Sequence, residues 1–357
     1  MSKINISLIL SKSCVVLKKQ PFIFIPFFIL AFLSAMFTVA TFDYNNSMMQ
    51  EFQGISQGYA YSYDVSDYAP LYDLVNIFKT DAKLIAVLTV AGFVLWIIQV
   101  LLYTGMVSMI RDVTLDRKTT PGDFINISLS RGIIVILSSI AASIILYLPG
   151  MIGILLIVVG ALSMSINLVF AAIIFFALQG LWLLAILFYL SSKVPRTIYI
   201  IITAITFAFL ILGIFFIPLL FFVVLLGILL SLLIIISMIL ISFAIDYIIP
   251  SAVITGNVGV TDALLKSLAF TKDHTMNFGI LILISFIIIF IVVIPFGIIS
   301  AVLQIGNIGT PATADLIISI IRIFVITGII GPFIMVFFVL GYINAGQGDE
   351  FLEKLND

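Results

Sequence analysis

Read for the alternation of apolar and polar positions, the chain resolves into long stretches without a charge, separated by short polar joints. Apolar runs occupy approximately 22–42, 84–110, 132–155, 166–190, 197–217, 219–248, 278–304 and 316–343. Each approaches or exceeds the ~20 residues that carry a helix across a bilayer core. At roughly −0.3 to −0.6 kcal/mol for each Leu, Ile, Phe or Val near a helix centre, a run such as Ile280 to Ile294 favours insertion by several kcal/mol. The pattern predicts an all-α fold, a polytopic transmembrane bundle of about eight spans forming one integral membrane domain over 1–357. Pro149-Gly150 and Pro218 interrupt two of the long tracts, so 132–190 and 197–248 each read either as two crossings or as a re-entrant hairpin.

The polar joints orient the bundle, because Lys and Arg collect on the cytoplasmic side of a membrane. With the N-terminus inside, only Lys79, Lys83 and Arg322 of the 16 basic residues fall outside. This asymmetry predicts a cytoplasmic-membrane protein with both termini in the cytoplasm. The longest joint, 43–83, is then an extracytoplasmic loop. It is acidic and carries Tyr44, Tyr59, Tyr61, Tyr63, Tyr68 and Tyr72, whose rings suit the headgroup layer.

Three joints on the inner side read as amphipathic helices lying in the interface. Within Gly256 to Thr275, Thr261 is placed as N-cap and Asp262 in the first turn. Leu264, Leu265 and Leu268 then share one face, with Asp262, Lys266, Ala269 and Asp273 roughly opposite. Before the first span, Ile6, Ile9, Leu10, Val16 and Leu17 oppose Asn5, Lys12 and Lys19. Before the third, Thr120-Pro121-Gly122-Asp123 reads as N-cap, N1 proline and N3 acid, opening a helix that ends near Arg131. In the two later units the acid is followed by a proline-glycine break, Pro149-Gly150 and Pro295-Phe296-Gly297. That recurrence predicts a parallel internal repeat over 111–196 and 250–344.

The stretch from Pro250 through Lys272, with Gly259, Ala263, Ser267 and Thr271, resembles a signature of prokaryotic multi-helix membrane families. Among these is the membrane domain joined to some glycerophosphodiester phosphodiesterases. There a span ends at a proline, a Gly-x-x-(Asp/Glu)-Ala-Leu-x-x-Ser helix follows, and the chain re-enters the membrane. The entry Lys18 to Phe22 is similar too, whereas Thr255 to Asn257 departs from the pattern, which has an acid there. The resemblance implies a membrane scaffold and carries no catalytic residues.

Composition narrows the chemistry further. With 63% hydrophobic and 9% charged residues the chain lies far from soluble usage, where about 25% are charged, and nucleic acid is not an expected partner. Cys14 stands alone, so no internal disulfide or cysteine cluster can form. Gly54-Ile-Ser56-Gln-Gly58 matches the form of a nucleophile elbow, but the single histidine, His274, falls on the opposite membrane face, too far to act as its base. Neither a cluster of three or four candidate metal ligands nor a phosphate- or dinucleotide-binding glycine pattern is evident in the sequence, so no cofactor, metal or catalytic residue is expected. The first apolar run exceeds a signal-peptide core and reads as a retained span.

What remains is the set of polar side chains inside spans: Gln99, Asn167, Gln179, Gln304, Arg322 and Asn344, with Asp246 near an inner end. A charge at mid-membrane costs ~2.5–3.5 kcal/mol on insertion scales, whereas Gln and Asn ordinarily tie helices together at ~0.6 kcal/mol per bond. The expected role is a non-enzymatic scaffold or lipid-associated partner of another protein. The competing expectation is a small-molecule or lipid transporter with its polar residues around a mid-membrane cavity.

Overall fold

A computed structural model describes residues 4–61, 82–163, 175, 178–183, 185–186, 238–305, 311–347 and 352. All regular structure among them is helical. The physical reason is that in hydrocarbon every backbone N–H and C=O must find its partner within its own segment, and a helix does this for any apolar sequence. The elements are α1 (Ile6–Lys19), a 3-10 turn (Pro21–Ile23), α2 (Phe24–Tyr61), α3 (Ala82–Thr114) and α4 (Pro121–Ser163). They continue with α5 (Met238–Gly256), α6 (Val260–Asp273), α7 (Thr275–Ile305), α8 (Pro311–Ile323) and α9 (Gly331–Gln347).

Six helical stretches among the described residues are long and apolar enough to cross a membrane: Pro21–Phe42, Ala86–Thr114, Pro121–Gly153, Met238–Gly256, Thr275–Val302 and Ala314–Gln347. The chain is thus a multi-pass helical membrane protein. Of the eight expected runs, 197–217 lies outside the described residues, as do most of 166–190 and most of 219–248.

Several boundaries differ from the sequence reading. The helix expected to stop near Arg131 continues unbroken from Pro121 to Ser163, because nothing between Arg131 and Gly132 interrupts the hydrogen-bond ladder. The first part of the 43–83 segment belongs to α2, which extends to Tyr61; 62–81 lie outside the described residues. The N-cap of α6 is Gly259, one turn position before the helix start at Val260, so Thr261 sits inside the first turn and makes no cap. Asp262 keeps its predicted place in that turn. By contrast, the cap of α4 is as read: the Asp123 N–H donates to Thr120 Oγ1 (3.2 Å), and the Thr120 N–H donates back to Asp123 Oδ2 (3.1 Å).

Prolines shape the ladder in two ways. The turns Ala244–Ile248 and Phe324–Ile330 are π-helical, and each stops two residues before a proline, Pro250 and Pro332. Proline offers no N–H to the carbonyl four residues back, and a widened turn just upstream absorbs the change of register. Pro149 and Pro295 lie inside α4 and α7 with the helix continuing through them.

The chain divides into two compact units, 1–12, 129–283 and 338–357 in the first, 13–128 and 284–337 in the second. The first unit is centred on rings. Phe338 of α9 stacks on Tyr247 (centroids 4.8 Å) and tilts against Phe243 (5.1 Å), both from α5. It meets Phe278 of α7 edge-on at 5.7 Å, and Phe270 of α6 joins Phe278 (5.9 Å) and Tyr342 (5.1 Å). Such offset and edge-on pairs add ~0.5–1.5 kcal/mol each beyond their buried area.

In the second unit glycines set the spacing. A Cβ on Gly331 would lie 2.8 Å from the ring of Phe27, and one on Gly328 would lie 3.0 Å from Phe28. α2 therefore packs its phenylalanines into notches of the π turn and the start of α9, the close approach that small residues permit in membranes. Gly105 of α3 plays the same part for α4, where a Cβ would come within 2.1 Å of Ser128 Oγ and 2.5 Å of Phe124.

Candidate functional site: an apolar cavity beside a bridged proline

The first unit contains a cavity of about 340 Å³. Its walls come from Ala142, Ile145 and Leu146 of α4, Ile186, Leu240 to Ile249 on one side of α5, and the Thr261, Leu264, Leu265, Ser267, Leu268 and Thr271 side of α6. The face of α6 that the leucine spacing marked as apolar is thus a cavity wall. Ala263, Phe270 and Thr271, further round the same helix, are buried.

Thr271 Oγ1 donates back to the Ser267 carbonyl at 2.9 Å. Lys266, which the sequence places on the polar face, carries its Nζ over the carboxyl end of α5: a Cβ on Gly256 would lie 2.9 Å from it. A cation there offsets the negative end of the helix dipole. The end itself is closed by Asn257 in the left-handed conformation (φ 48°), a position tolerated by Asn and Gly.

Along the α4 wall, Pro149 withholds the N–H that would serve the Ile145 carbonyl. Trp182 Nε1 donates to that carbonyl instead, at 2.9 Å. Gln179, three residues earlier, spans the next position: its Nε2 donates to the Leu146 carbonyl (2.9 Å) and its Oε1 accepts the Gly150 N–H (2.8 Å). One amide so bridges both ends of the bond that a regular helix would close directly between Gly150 and Leu146. The pairing was not legible in the sequence beyond the presence of Gln179, because it depends on which helix lies against Pro149.

The other intramembrane polar residues are placed as follows within each unit. Asn344 is fully buried and its Oδ1 accepts the Asn5 N–H (3.1 Å), tying the amino end of α1 to α9. Gln99 is half-buried on α3 and Arg322 exposed on α8, both in the second unit. Asn167 and the side chain of Gln304 lie outside the described residues. Asp315, near Arg322 in sequence, accepts instead from Ser300 Oγ. Asp246 sits in the π turn of α5, eight residues past Met238, rather than at the helix end where the sequence had placed it.

His274 closes α6, its N–H donating to the Phe270 carbonyl at 2.9 Å and its ring 5.3 Å from that of Phe270. Desolvation against this ring pulls its pKa below the usual value of 6.5, with Asp273 pulling the other way. It is a helix-end residue packed on an aromatic ring. No cluster of three metal-capable side chains occurs among the described residues.

No family model, no curated protein and no solved structure matches the chain.

Proposed function

We propose that this chain is a non-enzymatic multi-pass protein of the cytoplasmic membrane, with both termini inside, serving as a scaffold or lipid-associated partner of another membrane protein. α1 and α6, and the first turns of α4, ride the inner interface in this reading. At 1.5 Å per residue the 43-residue α4 is about 65 Å long, twice the ~30 Å hydrocarbon core, so a sizeable part of it must tilt or project beyond the apolar layer.

The observation that carries the reading is how the polar groups of the first unit are used. Gln179 and Asn344 hydrogen-bond to backbone between helices, and the cavity that Ile145 and Leu146 help to line is walled by hydrocarbon. A carrier for polar solutes needs the reverse, with side-chain amides facing a wet passage.

Reconstitution tests it. Vesicles of phosphatidylcholine and phosphatidylglycerol bearing the full chain are expected to leak small ions, sugars and amino acids no faster than protein-free vesicles. Protein-dependent flux that disappears in Gln99→Leu or Gln304→Leu would instead establish the transporter reading.

A further inference from the structure

We propose that Asp246 is a proton-binding site inside the membrane, a lone carboxyl on α5 held in its neutral acid form. The site goes beyond the scaffold reading and does not depend on it.

Depth is the first observation. Asp246 is the ninth residue of the span Met238–Gly256 and stands ten residues, about 15 Å, before its carboxyl end. That is about half of a ~30 Å hydrocarbon core. The end of α5 marks the boundary, because Thr255, Gly256 and Asn257 close the apolar run and the charged residues of α6 follow. Arg322 also stands within a span, Ala314–Gln347, but its long stem can carry the guanidinium back toward the interface. The single methylene of Asp246 cannot do the same.

The second observation is the company the carboxyl keeps. It is flanked in the π turn by Ala244, Ile245 and Ile248, and the rings of Phe243 and Tyr247 on either side of it in sequence pack on Phe338 of α9. Among the described residues no group hydrogen-bonds to it and no neighbouring charge acts on it. On the helices packed against this part of α5 the charged side chains are Arg131 of α4 and Asp262, Lys266, Lys272 and Asp273 of α6. Lys266 is engaged at the far end of α5, beside Gly256. α9 brings only the phenol of Tyr342, which is hydrogen-bonded to Thr255 at that same end, and α7 brings no charge.

Chemistry then selects the ligand. An ionised carboxylate is costly at this depth, and one without a partner is neutralised rather than kept charged. A hard metal cation asks for several oxygen ligands, and no cluster of three metal-capable side chains is present among the described residues. A proton asks for one carboxylate alone.

The test uses the full chain in phosphatidylcholine vesicles, treated at neutral pH with dicyclohexylcarbodiimide. This apolar reagent enters the hydrocarbon and requires a protonated carboxyl. The acid's proton passes to a carbodiimide nitrogen, its oxygen adds to the central carbon, and the adduct rearranges to a stable N-acylurea. Mass spectrometry of the peptides is expected to find the adduct on Asp246 and none on Asp262, which is exposed on α6. Once alkaline solution draws the proton off, the rate should fall about tenfold for each further pH unit. A second arm compares infrared spectra of the native chain and Asp246→Asn, which keeps the side chain's shape. Their difference should show one protonated-carboxyl band at neutral pH, replaced by carboxylate bands in alkali. The carbodiimide arm needs only the native chain and so stands whether or not the variant folds. An unmodified Asp246 in the folded native chain, or carboxylate bands alone at neutral pH, would show an ionised side chain and overturn the proposal.

Discussion

At the scale of the residue, the bridge around Pro149 is where side-chain identity matters most. Trp182 supplies a partner to the Ile145 carbonyl, which the proline leaves without an N–H, and Gln179 bonds the Leu146 carbonyl and the Gly150 N–H beside it. An interhelical hydrogen bond in a membrane averages only ~0.6 kcal/mol, because a separated helix can find other partners. The Ile145 carbonyl receives no N–H from Pro149, and leaving it dry carries the full penalty of ~1–3 kcal/mol. Trp182→Phe is therefore expected to destabilise the chain by about 1–3 kcal/mol, and Pro149→Ala in the same background to recover most of the loss by restoring the N–H that serves the Ile145 carbonyl. Equilibrium unfolding in mixed micelles would measure both. Equal stability of native and Trp182→Phe proteins would show that the Trp182 bond contributes nothing.

Among the elements, glycine and proline positions govern how closely the helices lie. α3 and α4 meet at Gly105, where an added methyl group would occupy the space of Ser128 Oγ and the Phe124 ring. Overpacking of this kind costs ~1–3 kcal/mol, since neither a buried hydroxyl nor a ring edge on an adjoining helix can withdraw freely. Gly105→Ala should lower the unfolding midpoint by that amount, and the double variant Gly105→Ala with Ser128→Ala should regain part of it. A Gly105→Ala protein as stable as the native one would mean that α3 and α4 have more room than their packing indicates. The sequence carried Pro250 and Pro332 in plain view, yet each is met by a π turn just upstream rather than by a break in the helix. The N-cap of α6 moved from Thr261 to Gly259 for a related reason: the left-handed turn at Asn257 sets where the next helix can begin.

For the molecule as a whole, Cys14 provides a topology reporter already in place. It is the only cysteine, it is exposed, and it lies on α1, which the proposed orientation puts at the inner surface. A membrane-impermeant maleimide should leave it unmodified in intact cells and modify it after permeabilisation. Labelling before permeabilisation would reverse the orientation and, with it, the assignment of α6 to the cytoplasmic face. The sequence alone determined that this is a helical chain in lipid, because length and hydropathy suffice where the solvent itself forces each segment to satisfy its own backbone. It also marked Leu264, Leu265 and Leu268 as one apolar face, since helical periodicity is a property of the chain. Whether that face met lipid, a partner or an internal space was decided only by how α4, α5 and α6 are placed. So too was the role of Gln179, which as a letter in an apolar run is equally suited to a channel wall or to a bond. Hydrogen bonds and cavities arise between segments distant along the chain, and their geometry is fixed by packing rather than by local pattern.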